Sequence, residues 1–256
     1  MIIDTHAHYD DEAFDADRET LLGAMQSAGI QQIVNIGSSL EACKRTLELM
    51  GKYDFIYGAL GVHPCDSTHL TEADMEWIGQ QSAHEKCVAI GEIGLDYYWD
   101  EPDREIQKKW FVRQLQLARE VKLPVCIHSR EAAQDTVDIM KAEHAEEIGG
   151  VVHCYSYSKE LAKIFLDMGY YFGIGGVVTF NNGRKLKEVV DYVPMDRMVL
   201  ETDCPYLAPV PFRGKRNDSA KLTYVAEMIA QIKGISVREV EEITCRNAYD
   251  LYPKLK

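Results

Sequence analysis

The chain has no long apolar run, no closely spaced cysteine pair, no low-complexity tract and no surplus of basic residues. A bilayer-spanning helix needs about 20 consecutive apolar residues. No run in these 256 residues approaches that, so no membrane role is expected. The seven cysteines (Cys43, Cys65, Cys87, Cys126, Cys154, Cys204, Cys245) are odd in number and lack CxxC spacing. Several sit in apolar runs such as 124–127, which reads them as reduced core thiols. The 28 Lys and Arg against 41 Asp and Glu leave a formal charge of −13. Broad attachment to a polyanion needs clustered cations that displace counterions, so any nucleic acid must be held locally. The opening Met1-Ile2-Ile3-Asp4 has neither the basic region nor the apolar stretch of an export signal, and a cytoplasmic location is expected. No Pro/Gly/Ser-rich linker and no close repeat divides the chain, so residues 1–256 are expected to form one domain.

What the sequence does contain is an alternation of short β-branched runs with longer amphipathic ones. Strands are predicted at 1–5, 31–37, 55–62, 87–92, 124–128, 150–154, 170–177 and 197–202. Helices are predicted near 17–28, 39–51, 71–82, 103–122, 131–144, 158–168, 182–191 and 219–233, with Gly29, Gly169 and Gly234 at C-terminal stops. Ile106, Trp110, Leu117 and Val121 recur at helical spacing, as do Leu222, Val225, Ala226 and Ile229. Eight βα units predict an α/β fold, a (β/α)8 TIM barrel, with an open doubly wound sheet as the alternative. An extra C-terminal helix is predicted at about 237–251, where Ser236 and Glu239 have the spacing of a capping box.

Barrel enzymes assemble their sites where the strands end. His6-Ala-His8 closes the first strand, and residues two apart on an extended chain share a face. Glu92 closes the fourth strand, His128 the fifth, His153 the sixth and Asp203 follows the eighth. Each alone reads equally well as a polar residue ending a strand. Four imidazoles and two carboxylates together exceed one tetrahedral zinc and suit two cations sharing a carboxylate, for which Glu92 is assigned as the bridge. Imidazoles favour zinc or another transition metal and phosphoryl chemistry often recruits magnesium, so zinc, manganese and magnesium all stay open.

The segments Asp4-Thr-His-Ala-His8, Gly61-Val-His-Pro64, Gly91-Glu-Ile-Gly-Leu-Asp-Tyr-Tyr98, His128-Ser-Arg130, His153-Cys-Tyr-Ser156, Glu201-Thr-Asp-Cys-Pro205 and Arg213-Gly-Lys-Arg-Asn217 span the chain. In that order and spacing the sequence resembles the TatD family of metal-dependent deoxyribonucleases, within the amidohydrolase-like barrel superfamily. The resemblance implies that His6, His8, Glu92 and Asp203 hold one metal, and that Glu92, His128 and His153 hold the other. Two positions depart from the family pattern: Asp218-Ser219 stands where Glu-Pro is usual, and Tyr157 where Gly is usual. Both are read as lying in substrate loops.

Around this set, His63 ends the third strand before Pro64 and is read as a substrate contact, or as a strand cap. Asp96, Ser129 and Arg130 are weaker candidates of the same kind. Arg213, Lys215 and Arg216 form a basic loop in which Gly214 permits close approach to a phosphate. Tyr97, Tyr98, Trp99, Tyr155, Tyr157 and Phe180 follow strand ends, where one or two are expected to stack on bases. Asp203, with one oxygen left free, and Glu92 are the catalytic candidates, Asp203 as proton acceptor. The expected activity is hydrolysis of DNA phosphodiester bonds from single-stranded ends, the 3′ to 5′ direction being implied by the resemblance alone. A hydrolase of small amides, lactones or esters is the alternative, because a fold does not specify a substrate. A noncatalytic metal-dependent binding module is a third reading.

Overall fold

The computed structural model describes residues 1–255. Eight strands, β1 (Ile2–Ala7), β2 (Ile30–Ile36), β3 (Ile56–Leu60), β4 (Cys87–Asp96), β5 (Val125–Arg130), β6 (Gly150–Val152), β7 (Tyr171–Ile174) and β8 (Met198–Leu200), pair in parallel in chain order. Between and after them run α1 (Arg18–Met25), α2 (Leu40–Lys52), α3 (Glu72–Gln81), α4 (Arg104–Val121), α5 (Ala133–Ala142), α6 (Lys159–Asp167), α7 (Arg184–Tyr192), α8 (Leu222–Lys233) and α9 (Val237–Leu251). This is a (β/α)8 barrel. Gly234 caps α8 and Gly169 follows the cap of α6 as expected, both at positive φ, whereas α1 already ends at Met25 and Gly29 lies in the turn before β2. The Ser236–Glu239 capping box opens α9 as its spacing predicts. All seven cysteines are free thiols, and no helix among the described residues is long and apolar enough to cross a membrane.

The seam between β8 and β1 is short of regular pairs, and polar side chains complete it. Ala7 bridges Cys204, the His8 N–H donates to the Cys204 carbonyl at 2.8 Å and the Asp203 N–H to the His6 carbonyl at 2.9 Å. Behind them the buried Asp4 carboxylate accepts from the Thr202 N–H (3.0 Å), the Thr202 hydroxyl (2.6 Å) and the Ser219 hydroxyl (2.6 Å). Burial pushes Asp4 up to about 7 against the pull of these donors. Ser219, one of the two departures from the family pattern, is therefore a buried seam residue rather than a substrate-loop residue.

Most strand ends fall a residue or two from the sequence reading, and at β4, β7 and β8 the difference has a local reason. The expected end of β4 at Glu92 is passed, and the strand runs on to Asp96. Between Ile90 and Ile93 it takes three steps while β5 takes two, from Val125 to Ile127, a bulge that turns Glu92 inward. Beyond the bulge β4 lies so close to β5 that a Cβ on Gly94 would meet the His128 carbonyl oxygen at 1.9 Å. β7 stops at Ile174 because Gly175 and Gly176 lead into a 3-10 turn, and β8 gives up regular pairing after Leu200 where the seam bonds begin.

Apolar side chains fall into two layers. One lies between strands and helices. The other fills the barrel with Ile3, Val34, Ile36, Ala59, Val88, Cys126, Val151 and Val199, and continues into Ala248, Leu251, Tyr252 and Leu255 from α9 and the turn after it. Asn247 donates to the carbonyls of Met195 and Met198, both at 2.7 Å, fixing α9 where β8 begins. The added helix thus seals the end of the barrel opposite the strand ends that carry the candidate ligands. Leu251→Ala is expected to cost about 2–5 kcal/mol, read as a lower midpoint in urea unfolding. An unchanged midpoint would show that α9 contributes no packing to the barrel.

Candidate metal centre

The six residues at the strand ends converge on one cavity of about 730 Å³, with His6 buried beneath its floor. Three of the four imidazoles have one nitrogen occupied from behind and the other turned inward. His8 Nδ1 donates to the Ile36 carbonyl at 2.9 Å. His6 Nδ1 lies 3.2 Å from Cys126 Sγ. His128 is held in the opposite sense, with Nε2 3.0 Å from Asp96 Oδ2 and Nδ1 facing the centre. The His153 ring stacks on His6 at a centroid distance of 3.8 Å, its Nε2 facing Glu92.

Glu92 occupies the middle. Its Oε2 faces His6 Nε2 (3.5 Å) and His8 Nε2 (3.8 Å), while its Oε1 faces His128 Nδ1 (2.8 Å) and His153 Nε2 (3.0 Å). Asp203 Oδ1 lies 3.4 Å from His8 Nε2 and 3.7 Å from His6 Nε2, and those two nitrogens are 3.1 Å apart. Two ligands each about 2.1 Å from one tetrahedral cation are about 3.4 Å from each other. The separations among His6, His8, Asp203 and Glu92 Oε2, from 3.1 to 3.8 Å, are of that size. Those of Glu92 Oε1 to His128 and His153, 2.8 and 3.0 Å, are shorter, so a cation fits the first side as it stands and the second once its donors spread by about half an ångström.

The electrostatics point the same way. Burial opposes ionisation of Glu92, but charge on His153 and hydrogen bonds from His128, His153 and His6 hold it well below the usual carboxylate range. Burial likewise pushes Asp203 up, and the His8 hydrogen bond with the charge of the surrounding imidazoles brings it below its ordinary value. Desolvation disfavours a proton on His8, yet Asp203 and Glu92 raise it to about 9. The acidic centre therefore draws positive charge onto His8, His128 and His153, while burial and the charge of His153 keep His6 below its ordinary value.

His63 differs from the four others. Its Nδ1 accepts from the Cys65 N–H at 3.1 Å, so in the neutral ring Nε2 carries the proton and offers an N–H toward the cavity. Burial and the neighbouring His128 push it down to about 3, keeping the ring neutral. This is the geometry of a donor rather than a metal ligand, although it lies beside Glu92 and His128. The same bond from Cys65 makes it the cap of the 3-10 turn at Pro64–His69 rather than of β3, which ends at Leu60.

The remaining candidates divide. Asp96 orients His128, and Arg130 lines the cavity with its guanidinium 3.7 Å from the Tyr98 ring centre. Ser129 bonds the hydroxyls of Thr136 and Tyr157, so Tyr157 ties two loops together instead of opening one to substrate. Tyr97 bonds Asp135, Tyr155 is buried against Phe165 and Phe172, and Phe180 lies under Arg213. Trp99 and Tyr206, exposed on the cavity rim, are the free aromatic faces, Tyr206 having drawn no notice in the sequence. Arg213 and Lys215 line a shallower groove of about 610 Å³ that meets the cavity at Tyr206 and Leu207. Arg216 lines it too, but its guanidinium is engaged with both oxygens of Asp17 (2.7 and 2.6 Å). Sequence reasoning assigned no role to Glu201; its signal was the period-two spacing to Asp203.

Residues 3–253 match the family described as TatD related DNase. The uncharacterized metal-dependent hydrolase YabD of Bacillus subtilis is 47% identical over 252 residues, covering 98% of this chain and 99% of that one. The corresponding hydrolase YcfH of Escherichia coli K12 is 35% identical over 255 residues, covering 98% and 96%. Among solved structures, the TatD homologue YJJV of Escherichia coli superposes with a TM-score of 0.92 at 31% identity, covering 98% of each chain. The chain belongs to the TatD family of metal-dependent hydrolases.

Proposed function

We propose that this protein is a deoxyribonuclease that binds two divalent cations and trims single-stranded DNA ends in the 3′ to 5′ direction. The observation that carries the dinuclear reading is the division of Glu92, one oxygen toward His6 and His8 and the other toward His128 and His153. His6, His8 and Asp203 would complete one site, and His128 and His153 the other. When bound, the cations would supply an acidified water, its pKa lowered to about 7, and positive charge against phosphoryl oxygens. Nitrogen-rich donors favour zinc or another transition metal over magnesium.

The protein groups divide the remaining work. Asp203 turns Oδ1 to His6 and His8, leaving its other oxygen to accept the proton of the attacking water. His63 directs its Nε2–H at the cavity, where it can hold a phosphoryl oxygen. Trp99 and Tyr206 offer faces for bases, and Arg213 and Lys215 neutralise the next phosphate along the groove. With −13 overall, such capture is local. The family description supports the DNA substrate, and the 3′ to 5′ sense rests on resemblance within the family. A small ester, lactone or amide is the second reading, favoured by Asp10, Asp11 and Asp66 on the cavity wall, which repel a polyanion.

Metal analysis of the loaded protein is expected to give about two equivalents, and Glu92→Ala to lower occupancy at both positions. Saturation at one equivalent, or a Glu92→Ala protein retaining both, would remove the bridge. Asp203→Asn is expected to reduce kcat by about 10²–10⁴ with much less change in oligonucleotide affinity; an unchanged kcat assigns the proton to another group. A 5′-labelled single strand should shorten progressively only when its 3′ end is free. Arg213→Ala should weaken its capture by about tenfold or less, with a shallow salt dependence and metal content intact. Equal cutting of closed circular DNA contradicts end-directed cleavage, and turnover of small esters alone selects the second reading.

A further inference from the structure

One buried carboxylate has no part in the chemistry above. Glu201 is 1% exposed and follows β8 two residues before Asp203. Its Oε1 accepts from the Cys154 N–H at 2.5 Å and lies 3.5 Å from His153 Nδ1. Its Oε2 has no partner, nor does His153 Nδ1 make a hydrogen bond of ordinary geometry. No Lys or Arg among the described residues pairs with it. Leaving a buried carboxylate uncompensated costs several kcal/mol, so a group that can donate to it is held there firmly. The one ionisable donor at hand is the His153 ring.

A second observation concerns space. Gly173, in the middle of β7, lies directly beneath the carboxylate, and a Cβ there would meet Glu201 Oε2 at 1.9 Å and its Cδ at 2.4 Å. The strand has no side chain at the position where Glu201 needs room. The carboxylate is thus seated by a backbone N–H and a glycine, and aimed at the back of an imidazole whose front faces Glu92 at 3.0 Å.

We propose that Glu201 is a positioning residue that fixes the His153 proton on Nδ1, so that the Nε2 lone pair faces the cation shared with Glu92 and His128, and that Gly173 exists to admit it. The inference rests on the metal centre proposed above. Partners of this kind set the tautomer, the ring orientation and the basicity of a ligating histidine, and their loss typically lowers metal affinity by about 10–100-fold. His6 stacking fixes the plane of the ring but not which nitrogen bears the proton. In Glu201→Gln an amide oxygen at the Oε1 place still faces Cys154 and His153, but the charge that makes the carboxylate the stronger acceptor is lost and the N–H₂ puts donors where Oε2 stood.

The experiment titrates zinc into metal-free wild-type, Glu201→Gln and Gly173→Ala proteins by calorimetry, and follows the His153 ring nitrogens in 15N–1H correlation spectra. Wild-type protein is expected to bind zinc through His153 Nε2 with a protected Nδ1–H. Each variant should lose about 10–100-fold in affinity for one zinc while the other binds as before. Circular dichroism confirms the fold of each variant. Attachment of zinc through His153 Nδ1 in the wild type overturns the proposal without any variant, so a misfolded substitution does not protect it. A Glu201→Gln protein that binds both zinc ions with wild-type affinity overturns the role of Glu201 and leaves the dinuclear centre standing. Wild-type protein that takes up no zinc overturns the centre and this inference together.

Discussion

The structure depends on keeping the Glu92 carboxylate ionised where water is almost absent. It is 4% exposed, and an isolated charge at that depth would be driven to take up a proton. Four imidazoles prevent this, and they arrive from three different strand ends. Their convergence requires a barrel with short, fixed strand registers. Three are steadied in turn by a group behind them, the Ile36 carbonyl, Cys126 and Asp96, and the fourth, His153, has the Glu201 carboxylate 3.5 Å behind it. The centre is therefore a nest of opposed charges whose geometry is set by the groups behind it. Removing any of those loosens a ligand without removing one.

The barrel and the ligand residues were legible in the sequence because both follow from residue type and short-range period. Eight β-branched runs spaced by amphipathic stretches specify eight βα units, and a histidine or carboxylate just after such a run falls on the rim. The bulge at Glu92 was not legible. It arises from the pairing of β4 with β5, where Gly91 and Gly94 let the two backbones come close. Glu201 escaped notice because a carboxylate ending a strand reads the same whether it faces water or the back of a histidine.

Pairings across the chain account for the rest. Arg213, Lys215 and Arg216 look equivalent in sequence, but Asp17, 199 residues from Arg216, withdraws that guanidinium from the groove. Ser219 and Tyr157 seemed to belong to substrate loops because they depart from the family pattern there. Their partners, Asp4 and Ser129, instead place them in the seam and between two loops. Aromatic residues after strand ends were likewise divided by burial, which periodicity outside regular elements does not report. These outcomes turn on distances that only the folded chain defines.

The α9 plug gives the molecule the character of a cul-de-sac. Leu251, Tyr252 and Leu255 stop the lumen from one side, and the layers of Ile3, Val34, Val88 and Val199 fill it above them. No passage connects the two faces. A polymer cannot be threaded through such a barrel as through a ring; whatever reaches the centre must enter by the mouth and back out the same way. Entry and departure then share one opening, and the traffic through it becomes a property of the loops that border it rather than of the barrel that supports them.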